Sequence, residues 1–434
     1  MTSIKKDFYW KACVVIVISI ILGIAFLLGA YLLPSERIKY NIRITSTQMA
    51  DEGSYYQWAK YYQNARLDTC TDAYLLLAAM HPNSGKSFKE IIVDAMNGTC
   101  LGVDGENESS VFALSHDESI GEIETAYGRY WHGMLTFLKP VLCIFDLADL
   151  RMFFMIINIS LIVVAALGFA KNKENVGLVA LGTSLVFINP ITMTECICFS
   201  FEFIIMMVAV CIMLYFNGKL LERNRFDFFF LILGILYAYY SEMSFPFVGY
   251  GIPVIVFLIL NKPEWKKGFW FEIRFGIEWA IGYAGMWLGK WIMASIVTKH
   301  NYIQEALDQI LYFTVDFDKE NASFLDRLIK NLTVYYKWPF VLTLLVAALY
   351  ILICRFVQYK RSSQNIRIKS IICLLDGIPM LLMFLFPFGL ILVLGNGYSW
   401  VHFWFTHRVF AISAMAIIVF LSTVIREVQI GDEN

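Results

Sequence analysis

The segment QMADEGSYYQWAKYY (residues 48–62) lies near the start of a polar stretch, residues 34–150, in a chain that is otherwise mostly apolar. The apolar segment ACVVIVISIILGIAFLLGAYLL (residues 12–33) comes directly before it. A helix needs about 20 apolar residues, at 1.5 Å per residue, to cross roughly 30 Å of hydrocarbon. Residues 12–33 reach that length and exceed the apolar part of a typical signal peptide, so we interpret them as a retained first transmembrane helix.

The composition excludes an ordinary soluble protein. The chain has 434 residues, of which 58% are hydrophobic and 16% are charged, and its mean hydropathy is +0.60. Soluble domains carry about 25% charged residues. An integral membrane protein is therefore expected. The net charge of −1 indicates no nucleic acid or other polyanionic partner.

The short loops rich in Lys and Arg all fall on one side of the predicted helices, the side of the N-terminus, and this predicts that both termini are cytoplasmic. We predict an all-α polytopic protein of the cell membrane with about ten transmembrane helices. The expected spans are residues 12–33, 152–170, 176–190, 199–216, 226–240, 247–260, 269–297, 339–357, 371–394 and 409–424. The expected parts are a cytoplasmic N-terminus with the first helix (1–33), a large extracytoplasmic loop (34–150), a helix bundle (151–425) with a second outer segment (298–338), and a cytoplasmic tail (426–434).

Two helices that lie on the membrane surface are predicted within the first loop. Aromatic and small residues at spacings of three and four, from Tyr55 to Tyr62, predict an amphipathic helix over residues 52–66. Residues 134–145 are apolar but too short to span, and they contain Pro140. We expect a juxtamembrane or re-entrant helix there.

Ionisable residues near the hydrocarbon edge are costly unless they are paired or hydrated, so they are candidates for function. On the predicted topology these candidates gather on the outer side. They are Asp51, Glu52, Arg129, His132, Glu195, Glu202, Glu242, Lys290, His402, His407 and Arg408. On the inner side Glu272, Arg274, Glu278 and Asp376 are exceptions, which we expect to pair locally.

Bond-forming chemistry on the outer face needs a donor that arrives already activated, and a lipid-linked sugar phosphate meets this need. Its phosphate requires cations at headgroup depth, and Lys290, Arg408 and Arg129 are the candidates. The acceptor hydroxyl requires a carboxylate base above the membrane. Inverting displacement at the sugar carbon uses one such base and a departing lipid phosphate.

The layout resembles the glycosyltransferase C superfamily, in particular the enzymes of the protein O-mannosyltransferase and aminoarabinose-transferase type that use polyprenyl-phosphate sugars. The segment MADEGSYY places Asp51 where that superfamily has a catalytic acid shortly after helix one, with Glu52 beside it. The segments HGMLTFLKPVLCIFDLADLR (132–151) and FINPITMTECICFSFEF (187–203) are similar to its juxtamembrane helix and its second outer loop, where Glu195 matches the acid.

The resemblance implies catalysis by Asp51 and Glu52 on a polyprenyl-phosphate-linked sugar, with a cell-envelope glycan, lipid or protein as acceptor. Glu195, Glu242, His132, His402 and His407 are predicted to support the site or bind the acceptor. We recognise no strong metal-binding signature of the superfamily and assign no metal ligands, and a divalent cation is the one candidate cofactor. We expect no large C-terminal soluble domain of the kind that is usual in the superfamily.

Structural interpretations stand beside these roles. Asp51 and Glu52 could cap the predicted surface helix. Lys290 could snorkel to the interface, although Gly282, Gly285 and Gly289 on one face favour an inward position. The histidines could be structural hydrogen-bonding groups. Cys196 and Cys198 are interpreted as packing residues rather than zinc ligands. Cys70 and Cys100 could form a disulfide or remain free.

Two other functions compete with a transferase. A polysaccharide polymerase or ligase of the O-antigen type also uses lipid-linked substrates, but it typically has its large outer loop late in the chain. A transporter or flippase predicts charges near mid-membrane on broken helices and related halves. The early large loop and the charges on one side favour the transferase.

Overall fold

The computed structural model of the chain describes residues 6–102, 107–116, 123–222, 225–316, 322–362, 368–372 and 374–429. These residues are almost entirely helical, with two small antiparallel sheets. The first helix and the loop elements are α1 (Lys6–Tyr31), α2 (Ser35–Arg43), α3 (Ser46–Glu52), α4 (Thr69–Met80), α5 (Phe88–Asn97), β1 (Cys100–Gly102), α6 (Asn107–Ser115), β2 (Ile123–Thr125) and α7 (Leu135–Leu142). The following helices are α8 (Leu147–Lys171), α9 (Asn175–Ile188), α10 (Pro190–Glu195), α11 (Ile197–Leu221), α12 (Phe226–Tyr240), α13 (Val248–Asn261) and α14 (Trp265–Thr298). The last elements are α15 (Tyr302–Leu311), α16 (Phe324–Thr333), α17 (Trp338–Ser362), β3 (Ile368–Ile372), α18 (Ile378–Val393), α19 (Phe403–Thr406), α20 (Phe410–Val424) and β4 (Ile425–Gln429).

The two sheets are local pairings. In the first, Cys100 pairs with Thr125 and Gly102 with Ile123. In the second, β4 pairs with β3, so residues 426–429 of the predicted cytoplasmic tail form a strand, and residues 430–434 lie outside the described part of the chain. The prediction of an all-α chain is therefore correct for the bundle but omitted these short strands.

Seven helical segments in the described part of the chain are long and apolar enough to cross a membrane, which is consistent with a polytopic membrane protein. They are α1, α8, α11, α14, residues Trp338–Val357 of α17, and the segments Leu374–Val393 and Phe403–Val424. Three further predicted spans form α9, α12 and α13, but these have only 14, 15 and 14 residues. Seven segments therefore meet the length requirement by themselves, and the predicted count of ten is not confirmed.

Packing separates inner helices from peripheral ones. Most of α11 and α20 is buried within the bundle, whereas α1, α8 and α17 present apolar side chains such as Ile21, Ile156 and Leu345 outward. Broad exposed apolar surfaces of this kind are what helices facing lipid require. The loop residues 34–146 pack at one end of the bundle, against the first turns of α8 and α11 and the last turns of α14. We call this end the loop side.

Glycines allow α12 and α14 to pack in close contact. A methyl group at Gly234 would overlap the carbonyl oxygen of Trp279, and one at Gly282 would overlap that of Leu231. Small residues permit such close approach in membrane helices. Gly285 and Gly289 similarly contact the side chains of α1. These glycines therefore serve helix packing, not a ligand site beside Lys290.

We expect Gly282→Ala to destabilise the protein because the backbone of α12 cannot move away from the added methyl group. Overpacking of this kind costs about 1–3 kcal/mol. Gly389→Ala is the matched control, since the space around Gly389 in α18 is open. Thermal unfolding of both variants in the same detergent measures the difference. Equal melting temperatures for the two variants would contradict the packing account.

The predicted surface helix over residues 52–66 is wrong. Helix α3 ends at Glu52, Gly53 has φ 66°, and the chain then runs irregularly to a short 3₁₀ turn at Gln63–Ala65. Asp51 and Glu52 thus end a helix and do not cap the start of one. The short helix predicted around Pro140 is confirmed as α7. Cys70 and Cys100 do not form a disulfide with each other in the structure.

Helix α5 is fixed by charged contacts within the loop. Lys86 Nζ donates a hydrogen bond to Asp94 Oδ2 at 2.7 Å, and His81 Nε2 lies 3.3 Å from the same oxygen. Burial raises the pKa of Asp94, but the hydrogen bonds from His81 and Lys86 outweigh it and leave the pKa below its usual value. The ionised carboxylate therefore stabilises the folded loop.

The sign of this pKa shift predicts a pH dependence. A depressed pKa contributes stability that is present above the unfolded value, near 4, and is lost as pH falls through the folded value. We expect Asp94→Asn to cost about 1 kcal/mol at pH 7 and much less near pH 3. Melting temperatures of both proteins across this range measure the effect, and a pH-independent difference would contradict it.

The inner exceptions behave in two ways. Arg274 forms ion pairs with Asp227 and Glu278, as expected for local pairing. Glu272 does not: both oxygens of its buried carboxyl lack a hydrogen-bond partner. Neither group reaches the loop side.

Candidate functional site

Three of the predicted site residues line one cavity on the loop side. Asp51 and Glu52 reach it from the last turn of α3, and Glu195 from the end of α10. The cavity has a volume of about 600 Å³. Gln48, Tyr56, Trp58, Leu67 and Ile191 complete its lining. We call it the acidic cavity.

Arg151 organises the acidic side chains. Its Nη1 and Nη2 donate to the two oxygens of Glu52, each at 2.6 Å, and its Nε lies 3.8 Å from Glu195 Oε2. Bidentate pairs of this kind are strong and fix the orientation of both groups. Gln48 Nε2 adds a hydrogen bond of 2.9 Å to Glu52. Glu52 is therefore an anchored carboxylate.

Asp51 is the accessible carboxylate of the acidic cavity. Its side chain is exposed, and none of the ion pairs found between described residues includes it. Because Glu52 is paired with Arg151, the neighbouring Asp51 is the acid on α3 that remains accessible to a ligand.

Aromatic residues form the rest of the wall. Trp58 Nε1 donates to Thr192 Oγ1 at 3.0 Å, and Thr192 Oγ1 donates to the carbonyl of Asn64 at 2.9 Å. The same carbonyl accepts a hydrogen bond from Arg408 Nη2 at 3.1 Å. Trp58 is therefore a fixed but partly exposed ring at the edge of the cavity.

Two buried acids behind this wall were missed by the sequence analysis. Asp68 caps α4 by accepting the backbone N–H of Thr71, and Asp72 accepts the N–H groups of Ile197 and Cys198 at 2.7 and 2.9 Å. Burial raises the pKa of Asp68 to about 7 and that of Asp72 to about 6, although these hydrogen bonds oppose the rise. Two acids four residues apart at the start of an apolar run were the available signal, because that spacing places them on one helix face.

A second group of predicted residues meets away from the acidic cavity. His132 Nδ1 lies 3.2 Å from Glu242 Oε1, and its Nε2 lies 3.1 Å from the carbonyl of Tyr127. Lys290 Nζ donates to the carbonyl of Met96 at 2.9 Å and is completely buried. Lys290 therefore points inward, as the glycine pattern suggested, but its ammonium group is hydrogen-bonded to a backbone carbonyl.

Arg129 lies at the end of a separate aromatic cleft of about 230 Å³. Its Nη1 donates to Glu305 Oε1 at 2.8 Å, and its guanidinium lies 3.9 Å from the centre of the Tyr127 ring. Tyr130, Tyr283, Trp287, Trp291 and Tyr398 are among the residues that line the cleft. No residue lines both this cleft and the acidic cavity.

The residues before α20 are structural. Arg408 is fully buried, donates to three backbone carbonyls and stacks on Phe199. His407 Nδ1 lies 2.8 Å from the carbonyl of Phe403, and its Nε2 is buried without a partner. His402 Nδ1 lies 2.7 Å from the carbonyl of Gly397. None of these three residues lines the acidic cavity.

The expectation that all the acids and cations converge in one hollow is therefore wrong. Asp51, Glu52 and Glu195 share the acidic cavity, whereas Lys290, Arg408 and Arg129 contact backbone carbonyls or Glu305 elsewhere. Arg151, the last residue of the segment 132–151 that is similar to the superfamily's juxtamembrane helix, is the cation beside the acids.

Comparison with known proteins adds no identification: no family model matches the chain, and neither a curated protein nor a solved structure is similar to it.

Proposed function

We propose that the chain is a membrane glycosyltransferase that moves a sugar from a polyprenyl-phosphate carrier to a cell-envelope acceptor, with the loop side outside the cell membrane. The observation that carries this proposal is the acidic cavity, in which Asp51, Glu52 and Glu195 surround a space of about 600 Å³ next to Tyr56 and Trp58. Carboxylates can accept protons and hydroxyl hydrogen bonds, and aromatic rings can stack on the apolar face of a sugar.

Asp51 acts as the general base in the proposed reaction. Its carboxylate takes the proton of an acceptor hydroxyl, and the hydroxyl oxygen forms a bond to the anomeric carbon of the donor sugar. The bond between that carbon and the phosphate oxygen breaks, and its electron pair leaves with polyprenyl phosphate. One base and one leaving group complete the displacement, which inverts the configuration at the anomeric carbon.

Arg151 replaces the expected phosphate-binding cations. Its Nε is buried without a hydrogen-bond partner, and Glu195 Oε2 lies 3.8 Å away. Arg151 lies behind the lining of the acidic cavity, and we propose that this N–H binds a phosphate oxygen of the donor when Glu195 moves aside. Lys290, Arg408 and Arg129 have no place in this step.

The position of the acidic cavity suits a donor that arrives in lipid. Ile191 lines the cavity and is half exposed, and Met152, one residue after Arg151 on the membrane helix α8, is also half exposed. A carrier chain can therefore lie along α8 while its sugar phosphate enters the cavity.

The test is reconstitution of the full chain in vesicles that contain polyprenyl-phosphate hexoses with radiolabelled sugars. Transfer predicts that the label moves from the lipid to an added acceptor, with an inverted anomeric bond. Movement of intact labelled lipid across the bilayer without transfer identifies a flippase, and formation of long chains identifies a polymerase. Either result contradicts the proposal.

A further inference from the structure

Two cysteines and a carboxylate meet at the start of α11. Cys196 and Cys198 are completely buried, and their Sγ atoms lie 3.4 Å apart. The side chain of Asp72, from α4, is also buried, and one ligand atom from each of the three residues lies within 4.8 Å of the others. No other group of three His, Cys, Asp or Glu side chains among the described residues is as compact.

We propose that Cys196, Cys198 and Asp72 bind a zinc ion. Two thiolates on one tetrahedral Zn²⁺, each at about 2.3 Å, place their sulfur atoms about 3.8 Å apart. The observed 3.4 Å therefore needs only a small separation of the two thiols. Two sulfur ligands and one carboxylate are a ligand set that suits zinc, whereas Cu⁺ prefers sulfur ligands alone.

The surroundings balance the charge of such a site. Two thiolates, one carboxylate and Zn²⁺ sum to one negative charge. The guanidinium of Arg408 lies within electrostatic reach of both cysteines, and that of Arg151 within reach of Asp72. The N-terminal end of α11 adds the positive end of the helix dipole. These positive groups offset the negative charge of the site, although the buried carboxyl of Asp68 also lies within electrostatic reach of both cysteines.

The carboxylate is already oriented as a ligand. Asp72 accepts the N–H groups of Ile197 and Cys198, one on each oxygen, and each carboxylate oxygen retains a second lone pair. Hydrogen bonds of this kind fix metal ligands in place. Zinc binding would release two thiol protons and join α4 to α11, behind the wall of the acidic cavity. The site is separate from the lining of the acidic cavity and goes beyond the proposed transferase activity.

The experiment uses the full-length protein in detergent, first treated with a chelator and then titrated with Co²⁺ as a spectroscopic substitute for zinc. We expect one Co²⁺ per chain with a thiolate-to-cobalt charge-transfer band, which one equivalent of Zn²⁺ abolishes. Cys196→Ser and Cys198→Ser should each lose tight binding by at least about tenfold. Cys211→Ser, a change on the same helix away from the cluster, should bind as the wild type does.

X-ray absorption at the zinc edge of the wild-type protein tests the ligands even where a serine variant fails to fold. Two sulfur neighbours per zinc are expected. Zinc surrounded only by oxygen and nitrogen, or undiminished Co²⁺ binding in both serine variants, would overturn the proposal. A disulfide between Cys196 and Cys198 in the purified protein, seen by mass spectrometry, would overturn it as well.

Discussion

Asp51→Asn should lower the rate of sugar transfer by about 10²–10⁴-fold, because the amide has the shape of the carboxylate but cannot accept a proton. The side chain of Asp51 is exposed at the edge of the acidic cavity and forms no ion pair among the described residues, so the substitution breaks no ion pair there. We therefore expect unchanged expression and thermal stability. Initial rates with a radiolabelled lipid-linked sugar, at saturating and limiting acceptor, measure the loss.

Glu36→Gln is the matched control for Asp51→Asn. Glu36 is an exposed acid in the first turn of α2, outside the acidic cavity. It should retain wild-type activity, which would separate loss of a base from loss of surface charge. If Asp51→Asn kept more than half of the wild-type rate, Asp51 would not be the base, and the assignment of the acidic cavity as the reaction site would fail with it.

The long helices could be predicted from the sequence because a helix of this kind depends on the local composition of the chain. Continuous apolar runs produced α1, α8, α11 and α14 close to their expected bounds. The number of membrane-spanning helices could not be predicted in the same way. Helices α9, α12 and α13 are short, and neighbouring helices bury them. Such helices are set by packing against other helices rather than by their own length.

The irregular segment after α3 shows where local patterns fail. Tyr55, Trp58 and Tyr62 have helical spacing, yet Tyr55 packs on Trp404 and Trp58 donates to Thr192. These partners lie more than a hundred residues away in the chain. The spacing reflects separate long-range contacts that no window of sequence displays, and the left-handed Gly53 ends the helix before the pattern begins.

The acids of the site were easier to predict than its cations. Carboxylate side chains are short, so those at helix ends on one side of the bundle lie close to the helix ends. Asp51, Glu52 and Glu195 do lie together. A long cation can reach a partner from any segment. Lys290 binds the carbonyl of Met96, a residue 194 positions earlier, and this contact depends on the packing of α5 against α14.

Arg151→Met should destabilise the protein by about 3–5 kcal/mol, because it leaves the carboxylate of Glu52 without its partner in a mostly buried position. Only 8% of the Arg151 side chain and 10% of the Glu52 side chain are exposed, so water cannot replace the two hydrogen bonds of 2.6 Å. Thermal or denaturant unfolding in a fixed detergent measures the loss. Glu52→Gln, added to Arg151→Met, should restore part of it by removing the unpaired charge.

Arg43→Met separates this effect from the general loss of an arginine. Arg43 ends α2 on the loop side with an exposed side chain, and its replacement should change stability by less than about 0.5 kcal/mol. The double variant distinguishes two causes of the lost stability. Recovery by Glu52→Gln is expected if the unpaired carboxylate of Glu52 dominates the loss, and not if lost packing of the Arg151 side chain dominates it. Equal unfolding of the single and double variants would show that lost packing of the arginine, and not the unpaired carboxylate of Glu52, accounts for the loss of stability.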